Sequence, residues 1–240
     1  MKRFLAGAFV VAVTSLGSPV RADDPNAVIE KAVKAMGGRD KLEKLQATEA
    51  KTKGTLNLGG NESPISGQAT VQGHDHYRMQ FEGEFGGNKI KGMTVINGNK
   101  GWRKFGDEVM ELDDRSLQGE KRLIYLQLAA GNPTHLSRKG FKVTKADQGA
   151  VTAIGPDGKE FTIHYDTQTG LPTKLVATVV GFTGEEVKQE TTYSDYKDFG
   201  GIKKATKTES KRDGEPFLKQ ELIEFKALER VDPKTFDEPK

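Results

Sequence analysis

The sequence predicts a mainly antiparallel β protein whose sheet curls strongly, toward a barrel or half-barrel. Segments between Phe161 and Phe225 alternate apolar with polar residues, which is typical of strands with one buried face. Short glycine-containing turns such as Asp213-Gly214 separate these segments and favour antiparallel neighbours. We expect about eleven strands in all, too many for a sheet to stay flat.

Residues 1–22 have the organisation of a secretory signal peptide. Lys2 and Arg3 precede an apolar run from Phe4 to Val13, and Val20-Arg21-Ala22 resembles a small-residue cleavage site. The apolar run is too short to span a membrane. We therefore expect cleavage that leaves residues 23–240 as a single domain, in the periplasm or secreted.

Charge and cysteine content restrict the class of protein further. The 240-residue chain has a formal net charge of +3, but removal of residues 1–22 would leave 34 Lys and Arg against 34 Asp and Glu. That balance gives no support to a nucleic-acid partner. The chain contains no cysteine, so the sequence predicts neither disulfides nor a lipid-anchored protein.

The mature chain is predicted to open with a helix. Asp24 and Pro25 suit the cap and the first helical position. Apolar residues recur at helical spacing from Val28 to Met36, and Gly37-Gly38 ends the run. A short helix is expected to follow over Arg39 to Leu45.

A second helix is predicted between two groups of strands. It begins near Asp113-Asp114, which suit a helix N-terminus, and stops at Gly131-Asn132-Pro133. Leu123 to Ala130 is apolar nearly all round, which indicates burial on more than one side. We expect this helix to cross the sheet or fill its concave face.

The strands lie on both sides of that helix. Those before it run from Thr48 to Leu112, and His74 to Phe85 alternates most clearly. Those after it begin near Phe141 and lead into the segments that start at Phe161. The tail from Val231 is expected to be extended, with Phe236 as an anchor.

A sheet curled over a helix either has a filled interior or leaves a cavity for an apolar ligand. Met79, Phe81, Met93 and Val95 alternate on neighbouring strands and could form one inward surface. Trp102 either lines a cavity mouth or completes the core, and packing is the favoured interpretation. The candidate cavity residues are Tyr77, Met79, Phe81, Met93, Val95, Trp102, Leu123, Leu126, Phe161 and Ile163.

Signs of catalysis or metal binding are weak. His74-Asp75-His76 places two imidazoles on one strand face, but a metal site needs three or four ligands and no second cluster appears. No nucleophile-elbow, zinc-helix, dinucleotide or phosphate-loop motif is present. The sequence therefore predicts no enzyme, no metal site and no cofactor.

Several weak motifs follow one another in a recognisable order. They are the signal peptide, the helix ending Ala35-Met36-Gly37-Gly38, then Asp40-Lys41-Leu42, Leu45, Tyr165 to Pro172, Tyr193 to Tyr196, Gly200-Gly201-Ile202 and Asp232 to Phe236. In this order they resemble the LolA-like proteins of bacterial envelopes, a family that sorts lipoproteins to the outer membrane. The proline usual after the double-glycine turn is replaced by Lys203-Lys204-Ala205. The resemblance implies an unclosed β-barrel capped by helices, which carries lipid-modified proteins or other lipids in its hollow.

Two classes of function follow from these observations. The first is a soluble periplasmic carrier or binding protein for a lipid, a lipoprotein acyl chain or another apolar ligand, with membrane donor or acceptor proteins as possible partners. The second is a non-carrying envelope module with a filled core, and an enzyme without a recognisable motif ranks third. The state of the interior, hollow or filled, distinguishes the first two.

Overall fold

A computed structural model describes residues 24–181 and 184–240. The predicted signal peptide, residues 1–22, lies outside the described residues. One antiparallel sheet of thirteen strands dominates the fold, in the order β6-β5-β4-β3-β2-β1-β13-β12-β11-β10-β9-β8-β7. The strands are β1 Ala47–Leu58, β2 Asn61–Gln72, β3 His76–Phe85, β4 Asn88–Asn97, β5 Lys100–Phe105, β6 Glu108–Glu111, β7 Lys142–Asp147, β8 Ala150–Ile154, β9 Glu160–Tyr165, β10 Pro172–Val180, β11 Glu186–Asp198, β12 Lys203–Arg212 and β13 Glu215–Leu228.

The sheet is two meanders joined side by side. Strands β1 to β6 form one, β7 to β13 the other, and antiparallel pairing of β1 with β13 joins them. Among the described residues β6 and β7 are edge strands that do not pair with each other, so the barrel is unclosed, as expected. The expected count of about eleven strands was two short of the thirteen that the described residues form.

In the described part of the chain, three α-helices accompany the sheet: α1 Pro25–Ala35, α2 Arg39–Glu43 and α3 Asp114–Gly131. The predicted caps are present, since the Asp24 side chain accepts a hydrogen bond from the Asn26 backbone N–H and Asp113 accepts one from that of Ser116. Gly37 ends α1 with φ +132°, and a Cβ there would lie 2.4 Å from the Gly201 carbonyl oxygen. Glycine at this position therefore lets α1 approach the turn before β12 closely.

The course of α3 shows how strongly the sheet curves. On one side Leu117 and Ile124 of α3 pack with Ile96 of β4. On the other side the Arg122 guanidinium of α3 donates a hydrogen bond to the Thr178 carbonyl of β10, at 2.6 Å. Six strands separate β4 from β10 in the sheet order, a span of about 34 Å if the sheet were flat. One helix about 10 Å wide touches both strands, so α3 bridges the concave side of a half-barrel.

The described residues also include two short 3₁₀ helices, Pro133–Ser137 after α3 and Pro233–Phe236 near the C-terminus. The tail was predicted to be extended but makes this 3₁₀ turn, which begins where the Asp232 side chain accepts a hydrogen bond from the Lys234 backbone N–H. Phe236 is 1% exposed and packs with Val95 and Trp102. It therefore lies in a small second core on the convex face of the sheet.

Candidate functional site

A cavity of about 380 Å³ lies between α3 and the concave face of the central strands. Its walls come from α3 and from β1, β2, β3 and β10 to β13, and Met36 and His135 lie at one end. That volume falls within the range of about 300–1,000 Å³ that is usual for small-molecule pockets. The interior under the bridge is therefore hollow in part.

Side-chain size explains why the space is empty here. On β1 and β2, the paired residues Ala50 and Ala69 both line the cavity, since cross-strand partners face the same side of a sheet. On β12 the lining residues between Lys204 and Arg212, which include Thr206, Thr208 and Ser210, are also small. Larger side chains at the two flanks of α3 keep the helix away from the central strands. The small residues on these strands therefore do not reach it.

A buried ion pair fixes α3 on its β10 side. Arg122, 2% exposed, donates a hydrogen bond to Asp157 at 2.8 Å, and the Tyr125 hydroxyl donates one to the same carboxylate at 2.6 Å. Desolvation raises the pKa of Asp157, but hydrogen bonds from Tyr125 and the Lys159 backbone and the charge of Arg122 outweigh it and lower the pKa below its usual value. The carboxylate is therefore ionised at neutral pH and holds the helix to the β8–β9 turn.

The wall of the cavity is apolar with a few polar groups. Leu123 and Leu126 of α3 face Leu222 and Phe225 of β13 across the space. Tyr193 and Tyr196 also line it, and the Tyr196 hydroxyl donates a hydrogen bond to the Pro172 carbonyl at 2.7 Å. Burial raises the pKa of both phenols. They are therefore neutral at physiological pH and suited to an apolar ligand with one polar end.

Lys204 places a cation at the inner end of the cavity. Its Nζ donates a hydrogen bond to the Gly131 carbonyl at the end of α3, at 2.8 Å, and lies 4.9 Å from the centre of the Phe225 ring. Desolvation lowers the pKa of Lys204 to about 8. The side chain is half-buried by surface because it faces the cavity, although its charged end lies deep in the protein.

A second cation lies at the other end, where the β12–β13 hairpin begins. The Arg212 guanidinium is 3.7 Å from the centre of the Phe217 ring, and its Nε donates a hydrogen bond to Gln189 Oε1 at 3.1 Å. Burial lowers the pKa of Arg212, although the guanidinium stays charged. The cavity thus has a cation at each end, and between them leucine and phenylalanine side chains alternate with small polar ones.

Histidines close the inner end of the cavity. His74 Nε2 and His135 Nδ1 lie 2.6 Å apart, and His135, which lines the cavity, is 3% exposed. Desolvation lowers the pKa of both, that of His135 to about 3. His76 instead contacts Phe236, and no group of three or more His, Cys, Asp or Glu suited to a metal occurs in residues 24–181 and 184–240.

The structure brings together three of the ten candidate cavity residues. Tyr77, Leu123 and Leu126 line the cavity. Phe161 and Ile163 face the same side but lie in the filled core with Tyr125 of α3. Their large side chains fill the concave side of the sheet at β9, whereas small residues leave the corresponding space empty under the central strands.

Four of the remaining candidates were expected to share one inward surface, but the strand register separates them. Met79 pairs with Thr94 and Phe81 with Gly92, whereas Val95 pairs with Arg78 and Met93 with Gln80. Met79 and Phe81 therefore lie on the concave face, beyond the cavity, and Met93 and Val95 on the convex face. Trp102, which pairs with Val95, also lies on the convex face, in the small core with Phe236.

The sequence reasoning missed the polar part of the site, above all Lys204 and the small residues of β12. A signal was present, because Lys204, Thr206, Thr208 and Ser210 recur at period two. Such a face looks solvated when only polarity is considered. Its burial follows from the central position of β12 in the curved sheet, which no local pattern reveals.

Comparisons with known proteins identify the fold. No protein-family model matches the sequence, and no curated protein matches it. A domain described as an outer membrane lipoprotein-sorting protein from Vibrio parahaemolyticus aligns with a TM-score of 0.56 at 10% identity, over 89% of this chain and 97% of that one. A DUF1329 family protein from Desulfovibrio piger aligns with a TM-score of 0.54 at 12% identity, over 90% and 98%.

A LolA superfamily protein from Nitrosomonas europaea aligns with a TM-score of 0.56 at 10% identity, over 90% of this chain and 99% of that one. Among the described residues, no helix has both the length and the apolar character needed to cross a membrane. The chain thus has the LolA-like fold that its sequence resembles, an open and strongly curved antiparallel sheet bridged by a helix.

Proposed function

We propose that this chain is a carrier or binding protein of the bacterial envelope that holds a lipid, a lipoprotein acyl chain or another apolar ligand under α3. The observation that carries the proposal is the cavity of about 380 Å³, whose lining includes several leucine and phenylalanine side chains. A fold of this kind is compatible with many functions, so the argument rests on the site. Burial of an acyl chain against Leu123, Leu126 and Phe225 would be driven by removal of its surface from water.

The signal peptide supports a location in the periplasm or outside the cell. The solved structure described as a lipoprotein-sorting protein supports an acyl chain as the cargo and membrane-bound donors or acceptors as partners. We propose no catalytic role, because the titratable groups at the cavity are two cations, neutral tyrosines and a neutral histidine pair, without a nucleophile beside a base. The rival interpretation, a filled-core module, gains no support from a space of this size.

Native mass spectrometry of residues 23–240, purified gently from a bacterial periplasm, tests the proposal. We expect an adduct that organic solvent releases and that has the mass of a lipid or acyl compound. An Ala69→Phe variant places a ring in the cavity and should lose the adduct. Ser66→Phe, an equal enlargement at an exposed position on the same strand, should keep it. A bare chain mass for the wild-type protein, also after incubation with long-chain alcohol, would contradict the proposal.

A further inference from the structure

Lys204 has hydrogen-bonding capacity that the protein does not use. A lysine ammonium has three N–H donors. Within residues 24–181 and 184–240, the one hydrogen bond of Nζ is that to the Gly131 carbonyl, and no carboxylate forms an ion pair with it. Two donors of a cation therefore remain for whatever occupies the cavity.

Capping of α3 accounts for part of this arrangement. A cation near a helix C-terminus is stabilising, and Lys204 makes such a contact with Gly131. Capping does not require burial, however, and lysines that cap helices usually keep the ammonium in water. Here the ammonium points into the cavity beside the Phe225 ring, where burial penalises its charge and no opposite charge of the protein is paired with it.

The surroundings of Lys204 favour an anion as its partner. Phe225 on β13 and Leu126 on α3 line the cavity with it, so a chain attached to such an anion would have apolar contacts as it leaves the head group. Other charged or titratable groups near this end are His74, His135 and Arg138. Asp75 also acts on His74, but no carboxylate acts on Lys204 itself, so no acid of the protein neutralises its charge.

We propose that the ligand of this cavity is a single-chain amphiphile with an anionic head group, carboxylate or phosphate, which binds the Lys204 ammonium while its chain extends toward Phe217. This inference rests on the proposed function and specifies its ligand. An acyl chain attached to a protein through an ester or amide carries no such charge. The assignment therefore favours a free acid or a phosphate monoester over the acyl groups of a lipoprotein.

The test compares two ligands of equal chain length, palmitic acid and hexadecanol, by titration calorimetry on residues 23–240. The measured quantity is the ratio of their dissociation constants, and comparing this ratio between variants cancels the different solubilities of the two compounds. For Lys204→Gln, which keeps a donor for the Gly131 carbonyl, we expect the preference for the acid to fall about ten-fold or more. Binding of hexadecanol should change little.

Two further variants serve as controls. Lys204→Arg keeps the charge and should retain most of the preference. Lys203→Gln removes the same charge from an exposed neighbour and should leave the preference unchanged. Circular dichroism of each variant checks that the fold is intact. Hexadecyl phosphate in place of palmitic acid identifies the head group. The better match is the anion that binds more tightly and whose affinity falls more in Lys204→Gln.

The outcomes separate this inference from the function on which it rests. Equal preference for the acid in wild-type protein and Lys204→Gln would overturn the role of Lys204 while the carrier function stands. Binding of neither palmitic acid nor hexadecanol to wild-type protein would overturn both.

Discussion

The concave face of this sheet has a filled side and a hollow centre, and both follow the same alternating pattern. On β8 and β9 the inward residues include Ala153, Phe161 and Ile163, each at most 2% exposed. On β1, β2 and β12 they include Ala50, Ala69 and Thr206, which line the cavity. Alternation therefore determines which face is inward, whereas side-chain volume and the position of α3 determine whether that face is packed.

The largest expected effect comes from removing bulk on the filled side. Phe161→Ala should lower the free energy of unfolding by about 3–5 kcal/mol, because a buried ring leaves a cavity that the rigid neighbours cannot close. Leu222→Ala, beside a space that already exists, should lower it by about 1 kcal/mol. Urea unfolding measures the free energy of unfolding of both variants. Equal losses of stability would show that the filled side and the hollow centre do not differ in packing.

The anchor of α3 should give the next largest effect. Asp157→Asn should lower the free energy of unfolding by about 2–3 kcal/mol, because it leaves the Arg122 charge, 2% exposed, without its partner. Glu186→Gln breaks the exposed pair with Lys159 and should change the stability by less than about 1 kcal/mol. Thermal unfolding at equal salt concentration compares the two variants. A loss of stability for Asp157→Asn as small as that for Glu186→Gln would mean that the ion pair does not fix the helix.

Larger side chains should also distinguish the two regions, because they should destabilise the filled side more than the hollow centre. Ala153→Leu, opposite Phe161, should cost about 1–3 kcal/mol because the site is full. Ala69→Leu should cost less than about 1 kcal/mol and could stabilise the protein, since the cavity accepts the extra carbons. Denaturant midpoints give the answer, and a larger loss for Ala69→Leu would show that the centre is already packed.

The effect that is smallest near neutral pH concerns acid and the histidine pair at the inner end of the cavity. An unfolded histidine takes up a proton near pH 6.5, whereas burial keeps His135 neutral down to about pH 3. Stability should therefore be fully present above pH 6.5 and fall below it, by up to about 1.4 kcal/mol per pH unit. His135→Asn should flatten that slope between pH 6.5 and 5, and an unchanged slope would assign the acid sensitivity to other groups.

Much of this fold could be predicted from local chemistry. The helices begin at Asp24 and Asp113 because these side chains cap them, and residues beside each helix indicate where it ends. The faces of β3 and β4 could not be matched, because a shift of one residue in register moves every side chain to the other face. That is why Met79 and Met93, which share an alternating pattern, lie on opposite sides of the sheet.

The candidate site was predictable only where it is apolar. Tyr77, Leu123 and Leu126 belong to obvious apolar faces, whereas Lys204 and Thr206 belong to a strand that composition alone marks as solvated. Their burial depends on contacts between residues far apart in sequence, such as that of Lys204 with Gly131. A polar residue under a curved sheet cannot be distinguished from one in water until the topology is known.

The central claim is that the hollow centre of the sheet binds an apolar chain. It is tested most directly by calorimetric titration of hexadecanol into wild-type protein, Ala69→Phe and Ser66→Phe. The account predicts binding to wild-type protein and Ser66→Phe, and loss of at least about ten-fold in affinity for Ala69→Phe. Equal binding by all three proteins would place the ligand outside the cavity and contradict the account.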